Sequence, residues 1–241
     1  MNPEFIHSLQ DLLPQIQGYI YPNEIEIHWG LLIVVYPYIT GIVAGAFILA
    51  SLVKVFDVRE VQPLYRLSLL TALAYLLVAP MALVAHLGHP ARFYEILLTP
   101  QTSSAMAMFG FVYAWYLMAV LLLEVWFVHR TDMIAWAEQE KGVMRFIHRT
   151  LALYSRDTGE RSVAFDHKAL RVITIVGIPS AFLLHGYVGF IFGSVKANPW
   201  WSSVLIPIVF LFSAIVSGVA LVILLYMILT PLTGGKISMR C

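Results

Sequence analysis

Ten consecutive residues, His86-Leu87-Gly88-His89-Pro90-Ala91-Arg92-Phe93-Tyr94-Glu95, place two imidazoles, a guanidinium, a phenol and a carboxyl between two long apolar runs. Imidazole titrates near neutrality and can give or take a proton, so this hinge has the groups that proton-coupled chemistry needs. Two other segments bring polar groups toward the same level. One is the start of the first apolar run, with Glu24, Glu26, His28, Tyr36 and Tyr38; the other is the latter part of the fourth, with His185, Tyr187 and Lys196. His185 lies about 14 residues beyond Arg171, or roughly 21 Å along a helix. Tyr36 and Tyr38 lie roughly 12 to 15 Å beyond His28 by the same rise. His86 and His89 close the second run, so three apolar runs offer His or Tyr to one zone, with Arg92 and Tyr94 at its rim. Taken singly, each has a plainer account: a buried histidine bonded to a carbonyl, or rim aromatics in an interfacial belt.

Glu124 is a separate case, deep in the third apolar run. A carboxyl buried there favours its protonated form and would suit a proton relay, continued by Ser68, Thr71 and Tyr75 in the second run. Snorkelling toward His129 or Arg130 is the alternative.

These groups must be positioned by elements that cross a membrane. The 241-residue chain is 60% hydrophobic and 12% charged, with a mean hydropathy of +0.80. An ordinary soluble domain is about a quarter charged. Five runs approach the roughly 20 residues that span a bilayer core: Trp29 to Val53, Leu67 to Leu87, Ala105 to Val128, Leu170 to Val195 and Ser203 to Leu229. Such runs are helices, because lipid offers the backbone no hydrogen bonds. The expected fold is therefore an all-α membrane bundle over residues 29–229, with Pro37, Pro80, Pro179 and Pro207 inside its helices. Residues 1–28 form an outer segment, with Leu9, Leu12, Leu13 and Ile16 on one side of an interfacial helix, and show neither the basic start nor the early apolar core of a cleaved signal. Small residues at Gly41/Gly45, Gly189/Gly193 and Ser213/Ser217 mark close helix packing.

Thirteen of the fifteen Lys and Arg residues fall on one side of these runs, leaving only Arg92 and Lys196 on the other. The positive-inside rule then puts the N-terminus and the His86–Glu95 hinge outside, and the C-terminus inside. The inner connection, about residues 129–169, carries Val143, Phe146, Ile147 and Leu151 at helical spacing opposite Lys141, Arg145 and Arg149, as on a helix lying against an anionic leaflet. Its plainer account is a solvated basic loop. A net charge of +1 argues against a nucleic-acid partner. The one cysteine, Cys241, cannot support an iron–sulfur cluster, a covalent haem or an internal disulfide.

A quinone suits the zone: its ring takes apolar walls, its carbonyls take donors from His or Tyr, and its redox change moves protons with electrons. Haem b is the rival, with His86 and His185 as the only helical candidates for ligation. A small-solute transporter is a third reading, though the two halves show no clear repeat.

The stretches Thr40 to Phe47, Leu87 to Tyr94, His185 to Gly189, Asn198 to Trp201 and Ser213 to Gly218 resemble the polysulfide reductase membrane-subunit family, NrfD, and within it most closely the DsrP branch associated with sulfur metabolism. The resemblance implies a haem-free, multi-pass subunit of the inner (cytoplasmic) membrane, catalytically silent alone, in a complex with other membrane or cytochrome subunits. It exchanges electrons between a menaquinone-like quinone and an outer-face, periplasmic iron–sulfur protein. It points to His28, Tyr36, the Gly88–Arg92 hinge and His185 for the quinone, near which Tyr38 and His86 also fall. Members of the family usually have eight or more spans, so five imply a fragment of a longer protein such as its N-terminal part, a truncated gene or an unusually short member, and residues 230–241 read as an inner tail that led elsewhere.

Overall fold

The computed structural model describes residues 29–99, 101–196, 198–235 and 237. Glu24, Glu26, His28, the expected outer helix and the end of the tail lie outside the described residues. The helices are α1 (Leu31–Lys54), α2 (Tyr65–His86), α3 (Glu95–Leu98), α4 (Ala105–Gln139), α5 (Gly142–Leu151), α6 (Glu160–Gly193) and α7 (Ile206–Leu232). Five of them, α1, α2, α4, α6 and α7, are long and apolar enough to cross a membrane, and no strand occurs among the described residues.

Helix α1 is the centre of the bundle, packed on α2, α6 and α7. Among the spans α1 is the most deeply buried and α7 the least, its Phe212, Val216 and Leu224 facing outward. Small residues explain how closely the two approach. A Cβ on Gly218 would lie 2.6 Å from Gly45 Cα, and one on Gly45 would meet the carbonyl of Ala214, so the backbones of α1 and α7 touch. Gly189 and Gly193 do the same for α6, against Pro207 and Ser203. The Ser213/Ser217 spacing does not mark the contact: Ser213 is exposed and Ser217 bonds back to its carbonyl at 2.7 Å, while Ala214 and Gly218, one position round the helix, meet α1.

At the end of the bundle where Lys and Arg are concentrated, Arg130 pins the α5–α6 connection. Its Nε and Nη2 donate to Asp166 Oδ2 at 2.8 and 2.6 Å, Nη2 also to Ser162 Oγ at 2.7 Å, and Nη1 to the Asp157 carbonyl at 2.7 Å. Both charges are buried, and a buried ion pair persists only when its remaining hydrogen-bonding capacity is used. Where a solvated loop is the plainer account of the connection, the structure has helix α5, with Val143, Phe146, Ile147 and Leu151 all exposed.

Gly218→Val should lower the unfolding midpoint in detergent titrations by an amount equivalent to about 1 to 3 kcal/mol, the usual cost of overpacking. Ser213→Val, on the outward face, should stay within about 0.5 kcal/mol of the parent.

Candidate functional site

Proline decides much of the local geometry at the end of the bundle nearer the His86–Glu95 hinge. Pro80 has no N–H, so the carbonyl of Leu76, four residues earlier, loses its helical donor. The hydroxyl of Tyr113 from α4 donates to that carbonyl instead. Lipid supplies no substitute, so this bond ties α2 to α4.

Around it stands an aromatic cluster. Tyr36 is buried and meets Phe109 edge-on at 5.9 Å; Phe109 stacks on Tyr187 at 5.8 Å; Tyr187 donates to the Ala105 carbonyl at 2.9 Å. One turn further along α1, Thr40 Oγ1 lies 3.5 Å from His185 Nδ1. His185 is 3% exposed and stacks on Phe210 at 5.6 Å. Gly41 makes room for the imidazole, since a Cβ there would lie 3.1 Å from His185 Cε1. Tyr36 and His185 therefore lie within about a helical turn of one another on facing helices.

The other residues expected at this zone are placed differently. Tyr38 is 63% exposed, turned away from the cluster. His86 and His89 are exposed at the end of α2 and in the turn after it, and Arg92 is exposed beside them. Arg92 forms a two-point bond with Glu95, Nε to Oε1 at 2.8 Å and Nη2 to Oε2 at 2.7 Å. Those hydrogen bonds hold the Glu95 carboxyl below its ordinary range. The structure thus brings together Tyr36 and His185, and leaves Tyr38, His86, His89 and Arg92 on the surface. Thr40, Phe109 and Tyr113, which nothing in the sequence pattern singled out, are the residues that join the pair. The freed carbonyl implied by Pro80 was the available signal for Tyr113.

Glu124 is fully buried, and does not snorkel. Arg130 is taken by Asp166, and His129 Nδ1 pairs with the Val125 carbonyl at 3.0 Å. Thr174 of α6 donates to Glu124 Oε1 at 2.7 Å. Thr71 is buried and Tyr75 half-buried on α2, while Ser68 bonds back to the Leu64 carbonyl at 2.8 Å. No group of three or more His, Cys, Asp or Glu side chains suited to a metal occurs among the described residues.

A membrane bundle of five spanning helices with an aromatic and imidazole cluster at one end and a buried carboxyl nearer the other is the class these observations define. Comparison with known proteins gives it a family. Residues 22–236 match the family model described as "Polysulphide reductase, NrfD", and the chain belongs to that family. It is 37% identical over 203 residues to a selenate reductase subunit of Mesobacillus selenatarsenatis, covering 82% of this chain and 47% of that protein. It is 27% identical to a putative dimethyl sulfoxide reductase membrane subunit of Halobacterium salinarum (81% and 42%), and 26% identical to protein NrfD of Escherichia coli (81% and 58%). The chain spans about half the length of the curated relatives it matches.

Tyr113→Phe should leave the Leu76 carbonyl unpaired and lower stability by about 1 to 3 kcal/mol in a detergent unfolding series. Adding Pro80→Ala, which returns a backbone N–H to that carbonyl, should recover most of the loss; failure to recover would mean that Tyr113 acts otherwise.

Proposed function

We propose that this chain is the quinone-handling part of a reductase-type membrane complex, carrying electrons between a menaquinone-like quinone and an iron–sulfur protein. The observation that supports it most directly is the burial of Tyr36 and His185 at one end of the bundle, with Thr40, one turn from Tyr36, beside the His185 imidazole, in a chain whose family relatives are named as reductase subunits. The quinone ring would lie against Tyr36, Phe109 and Tyr113, between α1, α2 and α4, and its isoprenoid tail along the outward apolar faces. Phenol and imidazole supply the hydrogen bonds that a quinone's two carbonyl oxygens require, and imidazole can accept the protons of a quinol. His86, His89 and Arg92 stand at the rim, where a partner or the ring could engage them.

The orientation that goes with this reading puts the hinge on the outer face of a cytoplasmic membrane, since Arg92 and Lys196 alone of the basic residues lie at that end. The iron–sulfur partner would dock there. Quinone turnover releases or takes up protons, and Glu124 offers a station for them toward the basic end of the bundle.

The test is binding of a menaquinone analogue to the full chain in lipid nanodiscs, followed by quenching of tryptophan fluorescence. Tyr36→Phe and His185→Ala should each raise Kd by about tenfold, the factor one hydrogen bond to a ligand carries. Tyr38→Phe, on the outward side of α1, should leave it unchanged. Equal Kd values in all three variants would place the quinone elsewhere.

A further inference from the structure

Among the described residues, three buried side-chain oxygens lack hydrogen-bond partners: Glu124 Oε2, the Tyr65 hydroxyl and the Tyr116 hydroxyl. Glu124 and Tyr116 are fully buried and Tyr65 is nearly so. Tyr65, Tyr116 and Lys54 each interact electrostatically with the Glu124 carboxyl. An orphaned polar atom inside a protein costs about 1 to 3 kcal/mol, and three converging orphans mark a place built for a small polar guest. One water molecule can satisfy about two to four such groups.

Tyr65 also lines a cavity. The cavity has a volume of about 290 Å³ and is lined by Lys54, Asp57, Gln62, Tyr65, His167 and Arg171, at the basic end of the bundle. Lys54 Nζ lies 3.4 Å from His167 Nδ1 and 5.9 Å from the centre of the Tyr65 ring. Tyr65 is therefore the partition between a polar vestibule and the buried carboxyl.

We propose that Glu124, Tyr65 and Tyr116 enclose a buried water that carries protons to and from Glu124, and that this site is loaded from the Lys54–His167–Arg171 vestibule through the Tyr65 hydroxyl. The step balances within the chain and water. A vestibule donor forms an O–H bond to the phenol oxygen; the phenol's own O–H breaks and its proton passes to the enclosed water; that water gives a proton to Glu124 Oε2, whose negative charge is neutralised. No oxidant or reductant takes part. A metal cation is the poorer guest, because Lys54 and Arg171 repel it on the way in, whereas a proton crosses by exchange along hydrogen bonds. The groups facing Glu124 are Lys54 from α1, Tyr65 from α2, Tyr116 from its own helix and Thr174 from α6, with Asp57 beside Lys54. The π-helical turn Tyr116–Leu121 ends just before Glu124, and such turns are frequent where a helix must aim a functional side chain. This inference deepens the proton part of the proposed function and takes its route along Tyr65 rather than Thr71 and Tyr75; it requires no quinone.

Infrared difference spectroscopy on the full chain in nanodiscs tests it, by reading the C=O band of a protonated carboxyl during transfer from H2O to D2O across a pH series. The band should vanish in Glu124→Gln. In Tyr65→Phe it should persist but exchange about tenfold more slowly, as expected when one hydrogen-bonding group is lost from the path. Thr71→Val should exchange at the parent rate. If Glu124→Gln does not fold, the Tyr65→Phe rate decides alone. A band that survives in Glu124→Gln, unchanged exchange in Tyr65→Phe, or slowing in Thr71→Val would overturn the proposal. So would displacement of the band by sodium chloride at fixed pH, which would make this a cation site. Menaquinone-analogue binding should be unaffected by Tyr65→Phe, so loss of either reading leaves the other standing.

Discussion

Hydrocarbon donates and accepts no hydrogen bonds, and every polar decision in this bundle follows from that constraint. The Leu76 carbonyl freed by Pro80 is recaptured by Tyr113; the Glu124 carboxyl takes the Thr174 hydroxyl; Arg130 directs its donors to Asp166, Ser162 and the Asp157 carbonyl. Each bond joins two helices, or a helix and a connection, so satisfying polarity also fixes tertiary geometry. The apolar contacts could tolerate sliding. These cannot.

Helix α1 turns that constraint into an arrangement with two chemical ends. It is the most buried span, held against α7 by bare backbone at Gly45 and Gly218, and it carries Tyr36 and Thr40 near one end and Lys54 at the other. The first end collects aromatic rings and the imidazole of His185. The second collects cations around a cavity that stops at Tyr65. In the proposed function a lipid-borne electron carrier would use the first end and an aqueous proton the second.

The spans were legible because length and hydropathy alone determine them, and the family was legible from short motifs in their right order. The α5 helix was also readable, since its apolar spacing needs no tertiary partner. Rotation about a helix axis was not. Tyr36 and Tyr38 look alike in sequence, yet only Tyr36 turns inward, and Ser213/Ser217 carry the small-residue spacing while Ala214/Gly218 make the contact. In a chain apolar on every face, periodicity no longer tells inside from outside. The neighbours of Glu124 were hidden for another reason: Tyr65 reaches it only through the way α2 crosses α4, and Tyr116 through the phase of α4 itself. Tyrosines at helix ends also read as an interfacial belt.

The π-helical turn Tyr116–Leu121 acts as a phase adjuster for the second half of α4. An α-helix advances about 100° per residue, so the wider turn accommodates one more residue than an α-turn would and resets the azimuth of everything that follows. Glu124 and Arg130 both lie downstream, and both are aimed at α6, toward Thr174 and Asp166. A version of the helix shorter by one residue in that turn would swing both side chains away together. The buried carboxyl and the clamp on the basic connection are thus geared to a single local irregularity, and a change in length there would be felt at two places with no direct contact between them.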